Sequence, residues 1–129
     1  MRKLISSGSP FEPQIGFSRA VRVGQFVAVS GTAPIAPDGS TAAPNDMYGQ
    51  TKRCLEIISQ AIGKAGLSMD SVIRTRVMLT DMSRWREAAK AHGEAFGNIK
   101  PASTFVEVKG LVERGWLVEI EADCIAERE

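Results

Sequence analysis

Two glutamates near the carboxyl end of the chain have the side-chain type and the spacing for acid–base chemistry. Glu119 and Glu121 lie two residues apart in the segment "LVEIEADC", so on a β-strand both point to the same face. A pair of carboxyl groups placed in this way can give and take protons. The same pair can instead form ion pairs across a sheet, for which Arg74 and Arg76 are available. The pattern favours the ion pairs and leaves acid–base catalysis as the alternative.

Histidine and cysteine are too sparse to predict a metal site. His92 is the single histidine, and it falls on the apolar stripe of a predicted helix, which is typical of a buried structural histidine rather than a catalytic base. One histidine without clustered cysteines or acids predicts no bound metal. Cys54 and Cys124 fall on predicted core positions, where a free cysteine behaves as a small hydrophobic residue. We therefore expect both thiols to be reduced and slow to react.

The segment "KPASTFVEV", residues 100–108, alternates in the manner of a strand. One face is mixed and begins with a short hydroxyl side chain; it carries Ser103, Phe105 and Glu107. The other face carries Thr104, Val106 and Val108. Because side chains alternate along a strand, the second, more apolar face is predicted to lie on the core. Ser103 is then predicted to lie on the face that is open to a ligand.

The rest of the chain divides into strand and helix patterns. Two valine-rich runs flank the pair Gly24-Gln25, and a glycine at the first turn position favours a tight hairpin. Apolar residues at 47–65 recur at spacings of three and four, which predicts a helix with Asn45 or Asp46 as its N-cap and Gly66 at its end. The further predicted elements are a short strand at Arg2–Ser6, a strand at Ser71–Thr80, a second helix at about Ser83–Phe96, and strands at Ser103–Lys109 and Trp116–Ile125.

The element order β-β-α-β-α-β-β predicts a single α+β domain over residues 1–129. Two amphipathic helices can cover one face of a mixed β-sheet, which gives a two-layer sandwich. The core-facing residues are predicted to be Ile73, Thr75, Val77 and Leu79 in the middle strand and Trp85, Ala88, Ala89, His92 and Phe96 in the second helix. The opposite sheet face is predicted to carry Arg74, Arg76, Met78, Phe105, Glu107, Leu117, Glu119 and Glu121. Such a face is too apolar for water and too charged for a core, which favours a subunit interface with ligand clefts.

The composition argues against nucleic-acid and membrane partners. The chain has sixteen lysines and arginines and fifteen aspartates and glutamates, which gives a net charge of +1. Non-specific nucleic-acid binding depends on an excess of positive charge. No apolar run approaches the ~20 residues that a membrane span requires. The first ten residues, "MRKLISSGSP", lack the apolar region of a secretory signal. We therefore expect a cytoplasmic protein.

Several segments together resemble the YjgF/YER057c/UK114 family, also called the RidA or Rid family. The matching segments are "IGFSRAVRVGQFVAVSG", "QTKRCLEIISQAIGKAGLSMDSVIRTRVMLTDM", "FGNIKPASTFVEV" and "LVEIEADC". The resemblance implies a homotrimer with the chorismate-mutase-like α+β fold, in which three sheets form a central barrel and the ligand clefts lie between subunits. Family members of the deaminase type hydrolyse reactive imines and enamines, such as 2-aminoacrylate, without a metal or an organic cofactor. An arginine in a "PARS"-like motif holds the substrate carboxylate, and a glutamate of the last strand helps to position the attacking water.

This chain departs from the family pattern at the arginine. Ser103 occupies the position of that arginine, Phe17 stands where a tyrosine is typical, and Ala89 stands where the second helix often carries an asparagine. Glu119 matches the retained glutamate and is the implied catalytic residue. The implied ligand-binding residues are Phe17, Ser30, Gly31, Arg76, Ser103 and Phe105. The resemblance therefore implies a subgroup distinct from the deaminases, with its carboxylate receptor missing.

The loss of the arginine has a predictable size. A charge-assisted hydrogen bond contributes about 1.5–3 kcal/mol, so its loss weakens carboxylate binding about ten- to a hundredfold or more. Arg19 and Arg76 are candidate replacement cations, although pairing with Glu107, Glu119 or Glu121 across the sheet is the favoured interpretation of both.

Two classes of function follow, both with a small metabolite as the ligand. One is a cofactor-free imine or enamine hydrolase that lacks the usual carboxylate contact. The other is a trimer that binds a metabolite without turnover. Ribonuclease activity, which has been attached to some relatives, has no support here, since the charge is balanced and a second histidine is absent.

Overall fold

The structure, a computed structural model, describes residues 2–127. In this part of the chain, six strands form one sheet: β1 (Arg2–Ile5), β2 (Ala20–Val23), β3 (Phe26–Thr32), β4 (Val72–Leu79), β5 (Ala102–Glu107) and β6 (Val118–Ile125). The α-helices are α1 (Phe11–Ile15), α2 (Met47–Lys64) and α3 (Trp85–Phe96). The spatial order of the strands is β1-β2-β3-β6-β4-β5, and only the pair β4 and β5 is parallel. This is the predicted α+β arrangement of a mixed sheet with two main helices, to which the short helix α1 is an unpredicted addition.

Helix α2 begins and ends close to the residues that the apolar periodicity and the predicted caps indicated. The carboxylate of Asp46 accepts a hydrogen bond from the backbone N–H of Gly49 and so caps the first turn. Gly66 follows the helix with a φ of 88°, the left-handed conformation that favours glycine at a helix end. The stripe predicted from the sequence is buried: Met47, Cys54, Ile58 and Ile62 have no exposed surface.

The core lies between the helix layer and one face of the sheet. Ala88 and Phe96 of α3 join the buried residues of α2 in a single hydrophobic cluster. On β6 the predicted inward residues Val118, Ile120, Ala122 and Cys124 are all completely buried. Clean alternation of this kind is typical of a sheet with one covered face, and it confirms the prediction for β6. Trp85, which the sequence placed on the buried stripe of α3, is instead 40% exposed at the first position of that helix.

The strand β4 changes its alternation once. Its pairing with β6 shifts register between Val72 and Arg74, as a β-bulge does when it inserts one extra residue. As a result Val72 is buried and Ile73 is 47% exposed. The prediction that Ile73 faces the core is therefore wrong, whereas the predictions for Thr75, Val77 and Leu79, all fully buried, are confirmed.

The strand β5 has the opposite phase from the predicted one. Ser103 pairs with Thr75 and Phe105 pairs with Val77, and paired residues of neighbouring strands point to the same side of a sheet. Thr75 and Val77 are buried beneath the helices, so Ser103, Phe105 and Glu107 face the helix layer too. Val106, predicted to lie in the core, is 43% exposed.

Local contacts explain the phase of β5. Phe105 packs against the core, and one carboxylate oxygen of Glu107 accepts a hydrogen bond of 2.8 Å from the backbone N–H of Met82, ahead of α3. The predicted placement of Phe105 and Glu107 on the face away from the helices is therefore wrong. Leu117, also predicted for that face, packs against the core as well.

The sheet face away from the helices mixes exposed apolar and charged side chains. Its large apolar residues are Leu4, Val23, Phe26, Ile73, Val106 and Ile125, each at least 43% exposed. Its charged residues include Arg74, Arg76, Glu119, Glu121 and Asp123. We call this surface the open face. Its mixed character agrees with the prediction from the sequence, although its membership differs on β5.

Candidate functional site

Glu119 and Gly31 form the first part of the candidate site, on the open face. Glu119 lies on β6 beside β3, and the pairing of these two strands shifts register between Val29 and Thr32, around Ser30 and Gly31. The carboxyl group of Glu119 lies so close above Gly31 that a Cβ atom at position 31 would clash with it. Gly31 is therefore needed for this close approach.

The carboxyl group of Glu119 is not committed to any partner among residues 2–127. It is partly buried, and no hydrogen-bond donor of the described chain reaches it. Burial raises the pKa of this carboxyl group; the cation of Arg19 opposes the increase, and the charge of Glu121 adds to it. A carboxyl group with a raised pKa and uncommitted oxygens is suited to exchanging protons with a bound molecule.

Arg19 supports this region from the core side. It is only 4% exposed, and its Nη1 donates hydrogen bonds to the carbonyl oxygen of Gly31 at 2.6 Å and to Oγ1 of Thr32 at 3.0 Å. Its Nε donates to Oγ of Ser7 at 3.2 Å, and the ring of Phe17 lies 5.2 Å from its Cζ. Arg19 thus fixes the backbone beneath Glu119.

Ser30 and Phe17 are connected through the backbone. The hydroxyl group of Ser30 donates a hydrogen bond of 2.6 Å to the carbonyl oxygen of Ser18, so its proton is already used. This bond ties the segment that carries Phe17 to the irregular part of β3. The structure therefore brings Phe17, Ser30, Gly31 and Glu119 into one neighbourhood.

Ser103 belongs to a different cluster, on the helix side of the sheet. Its Oγ lies 2.7 Å from Oγ1 of Thr75, and that same oxygen lies 2.8 Å from Nε2 of His92. Thr75 is completely buried, and Ser103 is the exposed end of the chain of hydrogen bonds. We call these three residues the Ser103 chain.

His92 anchors the Ser103 chain as a neutral side chain. Its ring packs on Phe96 and Phe105, at centroid distances of 4.7 and 5.7 Å. Burial lowers the pKa of the imidazole, which keeps the ring uncharged near neutral pH. The sequence identified His92 as a structural residue but missed its connection to Ser103. The available signal was Thr75, a polar residue on the predicted core face of its strand, which otherwise carries apolar residues such as Val77 and Leu79.

Arg76 forms ion pairs on the open face. Its Nη1 lies 3.1 Å from a carboxylate oxygen of Glu121 and 3.3 Å from one of Asp123. This is the cross-strand pairing that the sequence favoured for Arg76 and Glu121. Glu119 has no such partner within the described residues, so the two glutamates of the last strand have different environments.

The candidate residues do not all meet within one chain. Glu119 lies on the open face of β6, Ser103 lies on the helix side of β5, and β4 runs between the two strands. A site that contains both side chains therefore requires a second copy of the protein. Within residues 2–127, no three His, Cys, Asp or Glu side chains lie close enough to hold a metal ion, and no helix is long and apolar enough to cross a bilayer.

We expect both cysteines to react slowly with thiol reagents in the native protein. Cys54 and Cys124 are fully buried; burial raises the pKa of Cys124 to about 11 and also raises that of Cys54. Because the thiolate is the reactive form, modification should be slow until the protein is unfolded in denaturant, which serves as the control. Rapid modification of either thiol under native conditions would contradict the burial of β6 or α2.

Comparison with known proteins shows similarity over nearly the whole chain. A sequence profile for the family described as Endoribonuclease L-PSP matches residues 8–127. The crystal structure of Rv2704 from Mycobacterium tuberculosis, described as a member of the YjgF/YER057c/UK114 family, superposes with a TM-score of 0.89 at 44% identity, covering 98% of this chain and 100% of that one. A RutC family protein of Pyrococcus abyssi is 36% identical over 106 residues, which are 82% of this chain and 83% of its own length. The 2-iminobutanoate/2-iminopropanoate deaminase of Mus musculus is 28% identical over 125 residues, 97% of this chain and 92% of its own.

Proposed function

Because this chain belongs to the YjgF/YER057c/UK114 family, also called the Rid family, we propose that it forms a homotrimer that binds a small metabolite between subunits and hydrolyses an imine or enamine there. The observation that carries the proposal is the carboxyl group of Glu119, which is partly buried, accepts no hydrogen bond from residues 2–127 and has a raised pKa. The relative from mouse named as an imine deaminase supports the reaction class.

In this proposal Glu119 acts first as a base and then as an acid. Its ionised form takes a proton from a water molecule while the water oxygen bonds to the imine carbon. The protonated carboxyl group then gives that proton to the nitrogen of the adduct. The hydroxyl group of the adduct then loses its proton, which Glu119 passes to the same nitrogen as the carbon–nitrogen bond breaks. This releases ammonia and leaves a carbonyl product. A carboxyl group with a raised pKa is better matched to both transfers than one at its ordinary value. No metal or organic cofactor is part of this proposal.

The proposed ligand contacts come from two subunits. One copy supplies Glu119 together with Phe17, Ser30 and Gly31, which lie near one another. A neighbouring copy supplies Ser103 and Phe105 from its edge strand. Support for this division comes from the positions of Glu119 and Ser103 on opposite faces of one sheet.

Arg76 is also proposed to contact the ligand. Its guanidinium and its partner carboxylates are 24–45% exposed, and exposed ion pairs contribute little stability. They can therefore exchange for a bound anionic group at small cost.

We expect the protein to sediment or scatter with three times the chain mass of 13.9 kDa. The exposed apolar residues of the open face would be buried in the trimer, and burial of apolar surface stabilises association. Phe26→Asp should therefore dissociate it, because a carboxylate would be placed against apolar partners. Val112→Asp is the matched control, since Val112 is 66% exposed in a loop. A wild-type monomer at micromolar concentration would rule out a site shared between subunits.

The second candidate function is ligand binding without turnover. Ser103 favours it, because a serine cannot hold a carboxylate in the bidentate manner of an arginine. The hydroxyl group of Ser103 accepts a hydrogen bond from Thr75, so it keeps a single O–H that can donate one bond to a ligand. The enzyme and the binding protein differ in what Glu119 does, and turnover and ligand binding of a Glu119→Gln variant separate them.

A further inference from the structure

A cavity of about 190 Å³ lies on the helix side of the molecule, apart from the open face and the Ser103 chain. Its wall is formed by the serine-rich segment Ser6–Pro10, the loop at 33–39 and one side of α2. Three basic residues line it, namely Arg19, Arg53 and Lys64, and none of its lining residues is acidic. We call it the basic cavity.

Arg19 is a buried cation without an ion-pair partner in the described chain. It is 4% exposed, and no carboxylate of residues 2–127 lies within 4.0 Å of its guanidinium. Buried arginines are normally paired, because an unpaired buried charge is strongly unfavourable. Among the acidic residues, Glu12 has the largest electrostatic effect on Arg19. Its carboxylate does not contact the guanidinium but accepts hydrogen bonds from Ser7 and Ser9.

One nitrogen of Arg19 is left over. Its Nη1 and Nε donate hydrogen bonds to protein atoms, but Nη2 donates to none among residues 2–127. Every buried side-chain nitrogen or oxygen in that range has a partner, so Nη2 must be reached by solvent. Arg19 is one of the residues that line the basic cavity, and we take Nη2 to be the atom that it presents there.

Arg53 and Lys64 bring two more cations to the same space. Nε of Arg53 donates to the carbonyl oxygen of Ile35 at 2.7 Å, and its Nη1 lies 3.4 Å from the exposed carboxylate of Glu56. Nζ of Lys64 donates to the carbonyl oxygen of Ser6 at 3.2 Å. Each head group has more donors than these bonds use, so the cavity keeps positive charge and several N–H donors.

We propose that the basic cavity binds a small oxyanion of the phosphate class, held by Arg19, Arg53 and Lys64. The volume suits a small ion, since a water molecule occupies about 30 Å³ of liquid, whereas pockets for drug-sized ligands run to several hundred Å³. A bound anion would supply the charge partner that Arg19 lacks. Planar guanidinium groups match the geometry of phosphate oxygens.

An anion bound in the basic cavity would change the electronic environment of the backbone at Gly31 and Thr32, in the irregular part of β3. Nη1 of Arg19 donates to the carbonyl oxygen of Gly31, and that carbonyl belongs to the peptide unit whose N–H is on Thr32. An anion on Nη2 of the same guanidinium would change the polarity of this bond. The amide resonance of Thr32 is therefore a local reporter that requires no catalytic activity.

The test is titration of the full chain with inorganic phosphate at constant ionic strength, followed by calorimetry and by the amide resonance of Thr32. Wild-type protein should show saturable binding at millimolar phosphate or below. Lys64→Gln should weaken it about tenfold, the effect of losing one charge-assisted contact. Lys52→Gln is the matched control, because Lys52 lies on the same helix and outside the cavity wall; it should bind as the wild type does.

Arg19→Lys should weaken phosphate binding at least tenfold if it folds, because a lysine keeps the charge but lacks the fork of donors. Lys64→Gln keeps the test decisive if Arg19→Lys does not fold. Absence of saturable phosphate binding would overturn the proposal. Equal weakening by Lys52→Gln would overturn it too, because it would indicate general surface electrostatics. Acetate binding as tightly as phosphate, at the same cavity, would overturn the assignment to phosphate and indicate a carboxylate ligand.

Discussion

Glu119→Gln is expected to lower kcat for imine hydrolysis by about 10²–10⁴-fold, the usual contribution of a general acid–base group. Glutamine has nearly the shape of glutamate but cannot take or give the proton. Binding of the carbonyl product, measured by calorimetry, should persist because glutamine fills the same space above Gly31 as glutamate does. Loss of turnover with retained binding is the pattern expected of an enzyme.

Glu121→Gln is the matched control for this experiment. It lies two residues away on the same face of β6, but its carboxylate is paired with Arg76. We therefore expect Glu121→Gln to leave kcat within a few-fold of the wild-type value. If Glu119→Gln and the wild type behave alike in turnover and binding, the binding-protein alternative is favoured and the catalytic role of Glu119 is wrong.

The pH profile gives a second measurement of the same role. Glu119 must be ionised to take a proton from water, so activity should fall as the pH drops through the pKa of this carboxyl group. Because burial raises that pKa, the fall should occur at a higher pH than an ordinary glutamate would give. The residual activity of Glu119→Gln should lack this acidic limb. A wild-type rate that is constant down to the ordinary range of glutamate would contradict the assignment.

The parts of the fold that the sequence predicted well are those with one covered face. On β6, four completely buried residues alternate with charged ones, so the sequence alone shows which side chains face the core. On β5, Phe105 and Val106 offer an apolar residue to each side, and alternation alone does not choose between them. Its true phase is set by the pairing of Ser103 with Thr75, a contact between segments far apart in the chain. The bulge that exposes Ile73 is likewise a property of pairing rather than of local sequence.

The candidate site shows the same division between local and long-range information. Gly31 and Glu119 lie close together across β3 and β6, and their roles in ligand binding and catalysis stay predictions. The Ser103 chain was beyond the reach of pattern reasoning, because it joins β4, α3 and β5 through hydroxyl and imidazole groups. Arg19 was read as a strand residue that could face a ligand or pair across the sheet. Its burial depends on Gly31, Thr32 and Ser7, which only the folded chain brings together.

Ser103→Arg is expected to raise kcat/KM for a 2-imino acid about ten- to a hundredfold over a poorly active wild type. The gain corresponds to one recovered charge-assisted contact with the substrate carboxylate. The fold should tolerate the change, because Ser103 is exposed on an edge strand. Thr75 would lose its bond to the Ser103 hydroxyl but keep its bond to His92, so no buried polar group would be left unpaired.

Thr104→Arg is the control, since it adds the same charge one residue along β5 on the open face; it should not raise kcat/KM in the same way. Phe17 limits the interpretation, because its ring stacks on Arg19 and the family resemblance implies a tyrosine at this position. The double variant Ser103→Arg with Phe17→Tyr removes that objection. No gain in the double variant would show that the cleft holds no latent deaminase site. High activity of the wild type would refute the premise itself, because another cation would then already hold the carboxylate, and Arg76, whose ion pairs are exposed, would be the first to replace.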